Sequence, residues 1–444
     1  MERKDLFKVK GLEAFKRVRS IKSDPIGFYT SMLKNYGDLI GSSFLGLNFI
    51  IVNDPIIIRY ILQENSFNYH KSIFYKELAL LVGKGLLTSE GAEWKKNRRL
   101  AQPAFKKSMV EGFTKIFAEE AEVLEKEWQT FRAKPIDISK SMMKVTFNIV
   151  GRTLFGTRLE EESKIVDENL SLALELIMDR IQSIFRFPLW VPTPKNLKLK
   201  KALNAMDKVV FKIINTRKES QERVNDLLDT LLYSRDEETG EGLSIQQIRD
   251  EVITFLLAGH ETTANALTWT FYLLSEHPEI YQKVLKEIRE NVPKNGGIDI
   301  SHISKLELTE KVLKESLRLY PPAWVIERKL VNNDTIGGYP ALVGDMVSIS
   351  IYHLHRNPKY WSDPEVFNPE RFTKEEEDKR HNFAYLPFGG GPRVCIGNNF
   401  AFTEAMIILA TLLRSFEPKL EPNFKVEKEP LITLRPKNGM RMIL

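Results

Sequence analysis

Residues 388–397 read FGGGPRVCIG, and the cysteine in this stretch, Cys395, is the only one among 444 residues. One thiol forms no internal disulfide and rules out a zinc site built from several thiolates. Three consecutive glycines, Gly389, Gly390 and Gly391, reach backbone conformations closed to other residues, so main-chain N–H groups can turn toward a single atom. A thiolate sulfur is an anion that needs such donors in a dry site, and the same donors tune the reduction potential of a metal it holds. Phe388 is placed to shield the sulfur from water. Gly397 lets a flat group approach before the next helix, NFAFTEAMIILATLLRSF, begins. A small buried thiol would need none of these neighbours. A phosphate cradle would need Lys-Ser/Thr after the glycines or the spacing of a dinucleotide fingerprint, and neither is present.

Outward from this loop the chain reads as mainly α (α+β), helix-rich with small β-sheets. Residues 26–36 form a helix, and two short strands flank a turn at Gly46-Leu47. From about 55 to 235 apolar residues recur at helical spacing, with a Pro-rich break at FPLWVPTPKN. Ser244 and Gln247 form a capping box that opens the longest helix, Ile245 to about Glu276, roughly 45–50 Å of rod at 1.5 Å per residue, closed by Pro278. Gly259, His260, Glu261, Thr262 and Thr263 sit in its apolar middle, where polar groups are costly unless used. His260-Glu261 could open a zinc-protease HExxH motif, but Ala264 holds the place of the second histidine. After residue 330 the chain turns strand-rich, and Asn438-Gly439 between apolar runs predicts a hairpin. No linker separates domains. The expectation is one domain over 1–444, with a β-containing N-terminal lobe at about 26–70, an α-rich body at about 71–330, and a strand-containing part with the Cys loop at about 331–444.

The pattern F-x-x-G-x-R-x-C-x-G, here Phe388, Gly391, Arg393, Cys395 and Gly397, resembles the heme-binding signature of the cytochrome P-450 family. Other segments resemble further family motifs in the expected order. Trp94 and Arg98 lie at i and i+4 in EWKKNR, Glu315 and Arg318 in ESLR, Arg371 in PERF, and AGHETT spans Ala258 to Thr263. The resemblance implies heme b between the long helix and the Cys395 loop, with Cys395 as the iron ligand. It also implies that Trp94, Arg98, Arg393 and Arg328 meet the heme propionates, which would be untenable in the interior without such partners. Glu315, Arg318 and Arg371 would brace the ligand loop. Glu261 and Thr262 would carry protons for oxygen activation, the threonine bonding back to a helix carbonyl. The paired histidines of HLHRNPKYW, His353 and His355, would be structural.

The implied activity is a heme-thiolate monooxygenase, since thiolate ligation favours O–O cleavage, inserting one oxygen atom of O2 into a C–H bond of a fatty acid, terpenoid or aromatic molecule. O-demethylation of a methoxylated sugar or aromatic would use the same machinery. A peroxide-driven peroxygenase would not need the Glu261-Thr262 pair, and a heme sensor would need an output domain. By resemblance the substrate pocket would draw on Phe74, Thr254, Phe255, Ala258, Ala323, Trp324, Val325, Leu431 and Ile432, with Trp324 able to stack on a sugar or aromatic ring.

The net charge is +6, and basic residues mostly alternate with acidic ones, which does not indicate nucleic acid. The first 25 residues, charged throughout, contain neither the apolar run expected of a signal peptide nor that expected of a membrane anchor. The expectation is a cytoplasmic, soluble, monomeric protein of the bacterial type, without membrane contact or a fused reductase. Electrons would come from a separate ferredoxin or flavodoxin with an NAD(P)H-dependent reductase. The basic stretch 93–107, balanced in sequence only by Glu93, would offer Lys95, Lys96, Arg99, Lys106 and Lys107 as its docking patch.

Overall fold

The computed structural model describes residues 6–9, 20–44, 47–131, 134–183, 186–220 and 223–444. The architecture is helical with small sheets, and the chain divides into two compact units. The first comprises Met1–Lys76, Lys314–Cys395 and Ile432–Leu434, and the second Glu77–Leu313, Ile396–Leu431 and Arg435–Leu444.

The first unit is built on a six-stranded mixed sheet in the order Phe7–Val9, Leu39–Phe44, Leu47–Val52, Met346–Ser350, Val325–Leu330, Tyr69–Lys71. The two strands expected around residue 46 are present and antiparallel, with Ile40 opposite Ile51; Gly46 of the turn itself lies outside the described residues. Leu47–Val52 then pairs in parallel with Met346–Ser350, nearly 300 residues on. That strand is buried along its whole length. Side chains alternate between the two faces of the sheet. Ile50 and Val52 join a core with Ile58, Ile61 and Val347, while Ile40 and Ile51 join another with Tyr29, Met32 and Trp324. The helix of the second core, Pro25–Tyr36, starts where Asp24 accepts from Gly27 N at 2.9 Å and ends at Gly37, φ +89°.

The second unit is helical around Ile245–Glu276. Its capping box is formed as expected, with Ser244 N donating to Gln247 Oε1 (2.9 Å) and Gln247 N to Ser244 Oγ (3.3 Å). Pro278 does more than close it: after His277 it opens the next helix, Pro278–Asn291, occupying the first turn where a missing N–H costs nothing. The buried threonines of the long helix satisfy themselves on carbonyls one turn back: Thr254 on Asp250 (2.6 Å), Thr268 on Ala264 and Thr270 on Ala266 (2.7 Å each). At Gly259 helix Ile138–Leu154 packs closely against the long helix. A Cβ there would lie 2.9 Å from Val150 Cγ2.

The expected C-terminal hairpin is absent. Gly439 does turn the chain, at φ +71°, but Met440 N is taken by Asp137 Oδ1 at 3.1 Å. Strand Arg441–Ile443 therefore pairs with Pro135–Asp137 and Lys419–Leu420, and Leu434–Pro436 belongs to a different sheet. A distant carboxylate outcompetes the local register.

Candidate functional site

In the first unit the glycine loop folds back on itself. Cys395 N donates to Phe388 O (2.9 Å), Val394 N to Gly391 O (3.0 Å) and Gly389 N to Leu386 O (3.1 Å), and Cys395 is solvent-exposed. Gly389 and Gly391 have φ +74° and +67°. At Gly391 a Cβ would fall 1.8 Å from the carbonyl oxygen of Leu62, so glycine is required twice over, by dihedral and by contact.

Behind the loop lies a buried ionic cluster. Glu315 accepts from Arg318 Nε (2.6 Å) and Nη2 (2.8 Å) and from Asn368 N (2.8 Å), and Arg371 Nε approaches it at 3.5 Å. Arg318, wholly buried, spends its remaining donors on the carbonyls of His355, Pro364 and Val366. His355 carries the connection onward, accepting from Leu386 N at its Nε2 (2.8 Å), which leaves Nδ1–H to donate to Arg318 O (3.2 Å). Burial, with Arg318 nearby, holds its pKa well below the ordinary value, so it stays neutral. His353 bonds Thr30 and Ser350 within this unit. Both histidines thus stabilise the fold and neither is presented to a metal.

Arg328 and Arg393 both act on the Tyr75 hydroxyl, whose pKa burial raises and the two guanidiniums lower. Arg328 is 6% exposed, and no carboxylate pairs with it among the described residues; it donates to Glu327 O at 3.0 Å. Its strand neighbour Glu327 is pushed up by burial to about 7, held by Ser72 Oγ at 3.2 Å. A buried cation reinforced by a second one calls for an anion. That donor set fits the carboxylates of a porphyrin. Tyr75 was not singled out from sequence, where it is one tyrosine among thirteen.

In the second unit, Trp94 and Arg98 share helix Gly91–Ala101, with Arg98 Nε reaching Gln102 Oε1 at 3.2 Å. Ala258 and Thr262 share an accessible face of the long helix, and Thr262 Oγ1 donates to Ala258 O at 2.7 Å. This is the expected back-bond, made within an uninterrupted helix. Glu261 is buried, 3% exposed. His260 is buried too, its Nδ1 on Leu256 O (3.0 Å) and its ring edge-on to Phe147, and burial lowers its pKa to about 4. It is a neutral core residue. Gly397, at φ −95°, would accept a Cβ that meets only the Phe105 ring at 3.6 Å. The protein around it does not demand glycine, which fits a flat group as the reason for it.

Several substrate-wall expectations are corrected by packing. Trp324 is 4% exposed, in the core edge-on to Tyr29, and cannot stack on a sugar. Phe255 is 5% exposed and stacked on Phe105, and Thr254 is buried with its hydroxyl already bonded. Ala258 is exposed, and Phe74, Val325, Leu431 and Ile432 are partly accessible. The basic stretch is also less bare than its sequence suggests. Arg99 is forked onto Asp236 at 2.9 and 3.1 Å and reaches Glu238 at 2.8 Å, Lys96 pairs with Glu241, and Lys107 with Glu111. The Arg99 hydrogen bonds hold Asp236 down at about 2. Lys95 and Lys106 are exposed and make no ion pair among the described residues.

Comparison with known proteins is consistent with this arrangement. A family profile described as Cytochrome P450 matches residues 14–442. The chain is 33% identical over 412 residues to protein LUTEIN DEFICIENT 5 of Arabidopsis thaliana, covering 87% of this chain and 68% of the relative. It is 33% identical over 392 residues to cyclooctat-9-en-7-ol 5-monooxygenase of Streptomyces melanosporofaciens, covering 87% and 84%. The crystal structure of the cytochrome P450DA heme domain superposes with TM-score 0.86 at 27% identity, covering 94% of this chain and 92% of that one. Among the described residues no helix is long and apolar enough to cross a membrane.

Proposed function

Because this chain belongs to the cytochrome P450 family, and is therefore a heme-dependent monooxygenase, we propose that it hydroxylates a small, largely apolar organic molecule, with electrons from a separate ferredoxin or flavodoxin. The overall conversion takes RH, O2, two electrons and two protons to ROH and water. The bound heme supplies the dioxygen chemistry, and thiolate ligation favours O–O cleavage. The Cys395 thiolate would be its iron ligand, with the loop's shape held by the Cys395 N to Phe388 O bond. Arg328, Arg393, Trp94 and Arg98 would hold the propionates. Glu315, Arg318 and Arg371, linked to Leu386 through His355, position the loop rather than react.

Protons are the task of the long helix. Thr262 Oγ1, on the accessible face, donates a hydrogen bond to Ala258 O at rest. By swinging off that carbonyl it would present a donor to the oxygen side, resupplied from the buried Glu261 carboxyl. His260, neutral and bonded to Leu256 O, takes no part.

The observation that carries hydroxylation over O-demethylation of a methoxylated sugar is the burial of Trp324. The aromatic platform on which a sugar would stack is sealed in the core. The relative named as a 5-monooxygenase of cyclooctat-9-en-7-ol supports the same reading. The test begins with a reduced carbon-monoxide difference spectrum, which must show thiolate ligation in the wild type and lose it in Cys395→Ser. Candidate substrates, methyl ethers included, are then screened by spin-state shift and by NAD(P)H-dependent turnover with a surrogate ferredoxin system. Folded protein without the thiolate spectrum would overturn the ligand assignment, and turnover confined to methyl ethers would overturn hydroxylation.

A further inference from the structure

Building on the proton role given above to Glu261 and Thr262, we propose that Thr146 is a positioning residue for proton delivery. Its hydroxyl anchors the peptide that joins His260 to Glu261 in the long helix, and so fixes where Glu261 and Thr262 stand.

Thr146 lies in helix Ile138–Leu154 and is wholly buried. Its Oγ1 is 2.8 Å from Met142 O, one turn back in its own helix, and 3.1 Å from His260 O across in the long helix, with Met143 O a longer contact at 3.3 Å. A hydroxyl has one proton to donate, so the carbonyls of Met142 and His260 share it in a three-centre bond. Back-bonding by itself is the ordinary use of a buried threonine in this protein. Thr153 of the same helix, and Thr254, Thr268 and Thr270 of the long helix, donate to carbonyls of their own helices. The reach across to His260 sets Thr146 apart.

The carbonyl it reaches belongs to the peptide whose nitrogen is that of Glu261. A helix carbonyl is ordinarily taken by the N–H four residues on, so a second donor from outside draws it outward and pins that peptide. Helix Ile138–Leu154 holds the segment at two neighbouring points as well. Val150 leaves no room for a side chain at Gly259, and the His260 ring stands edge-on to Phe147 at 5.5 Å. Those contacts act through shape, and Thr146 adds the directional bond. At about 100° per residue, His260 points away from the face shared by Ala258 and Thr262. The anchor therefore grips the long helix from behind and leaves the accessible face open. A hydroxyl that must swing between acceptors delivers a proton efficiently only if the backbone beneath it stays fixed, because small misplacements of reacting groups cost rate steeply.

The test uses the heme-loaded full chain, a surrogate ferredoxin system and the compound giving the largest spin-state shift in the screen above. Thr146→Val keeps the branched shape and removes the donor. Heme content, and substrate affinity read from the spin shift, should stay within about twofold of wild type. Peroxide released per NAD(P)H consumed should rise about two- to fivefold, and the solvent deuterium isotope effect on product formation should grow. Thr146→Ser should restore both, and Thr146→Ala replaces the valine variant if that one loses heme. Combined with Thr262→Ala, removal of the Thr146 hydroxyl should add no further uncoupling, because both act on one path. Unchanged coupling in Thr146→Val, with Thr262→Ala uncoupled, overturns the positioning role and leaves the proton path standing. Fully multiplied effects in the double variant, or a serine that fails to restore coupling, would assign Thr146 to packing and overturn it too. If Thr262→Ala itself stays tightly coupled, the proton path fails and the role of Thr146 falls with it.

Discussion

Gly391 shows how little freedom the cysteine loop has. A side chain there would meet the Leu62 carbonyl at 1.8 Å while the backbone holds φ +67°. Gly391→Ala should destabilise the protein by about 3–5 kcal/mol and lower the heme retained per chain, measured by heme absorbance against protein concentration. Thr262 carries the opposite kind of constraint, chemical rather than steric. Its hydroxyl is already satisfied on Ala258 O, so Thr262→Ala should keep the fold, the heme and substrate-induced spin shifts. It should instead divert NAD(P)H-derived electrons to peroxide, raising NAD(P)H consumed per product several-fold. Tight coupling in that variant would remove Thr262 from the proton path. Tyr75 adds what no motif announced, a hydroxyl beside Arg328, a buried cation that no carboxylate pairs with among the described residues, which marks where an anion belongs.

Between elements, the long helix clamps the loop that precedes the Trp94 helix. Asp250 accepts from Lys84 N at 2.8 Å and Glu251 from Leu86 N at 3.0 Å. A Cβ on Gly83 would strike the Asp250 carboxylate, and one on Gly85 would lie 2.2 Å from Thr254 Oγ1. Glu251 is fully buried, and its pKa is raised from 4.5 to about 8, by burial first and then by Asp250 and Glu93, against the hydrogen bonds from Leu86 and Asn97. With the folded value above the unfolded one, the native state binds the extra proton. Stability from this group is therefore full below about pH 4.5 and is lost as pH rises through about 8, with a slope of at most about 1.4 kcal/mol per pH unit. Glu251→Gln keeps the acceptor for Leu86 N and cannot ionise. Denaturant melts between pH 5 and 9 should show the wild type losing stability relative to this variant, and parallel curves would refute the shift. The Glu315–Arg318 pair is the counterpart in the other unit. Glu315→Ala strands a buried guanidinium and should cost about 3–5 kcal/mol, with Leu386 and the cysteine loop losing their support through His355, seen as lost thiolate signature before global unfolding.

For the whole molecule, the charge pattern seen along the chain is redrawn in space. Three of the five cations expected to dock a redox protein are neutralised, two of them by the acidic loop at 236–241. Lys95→Glu with Lys106→Glu should therefore slow reduction by a ferredoxin several-fold and steepen its loss with salt. Arg99→Glu should instead act by loosening that loop. An unchanged reduction rate with every ferredoxin would remove this surface from consideration. The family and its cofactor were legible in sequence because they rest on short-range patterns. FGGGPRVCIG, the i, i+3 pair Glu315/Arg318, the i, i+4 pair Trp94/Arg98, AGHETT and the capping box at Ser244 all obey local geometry, and so does the length of the proline-free central helix. Tertiary structure alone decided what depends on remote partners: strand Leu47–Val52 pairing with Met346–Ser350, the Asp137 carboxylate dissolving the expected Asn438-Gly439 hairpin, Asp236 claiming Arg99, and Tyr29 sealing Trp324 in the core. Periodicity tells a side chain which face it lies on. Which distant chain covers that face is set by packing and by competition for buried hydrogen bonds.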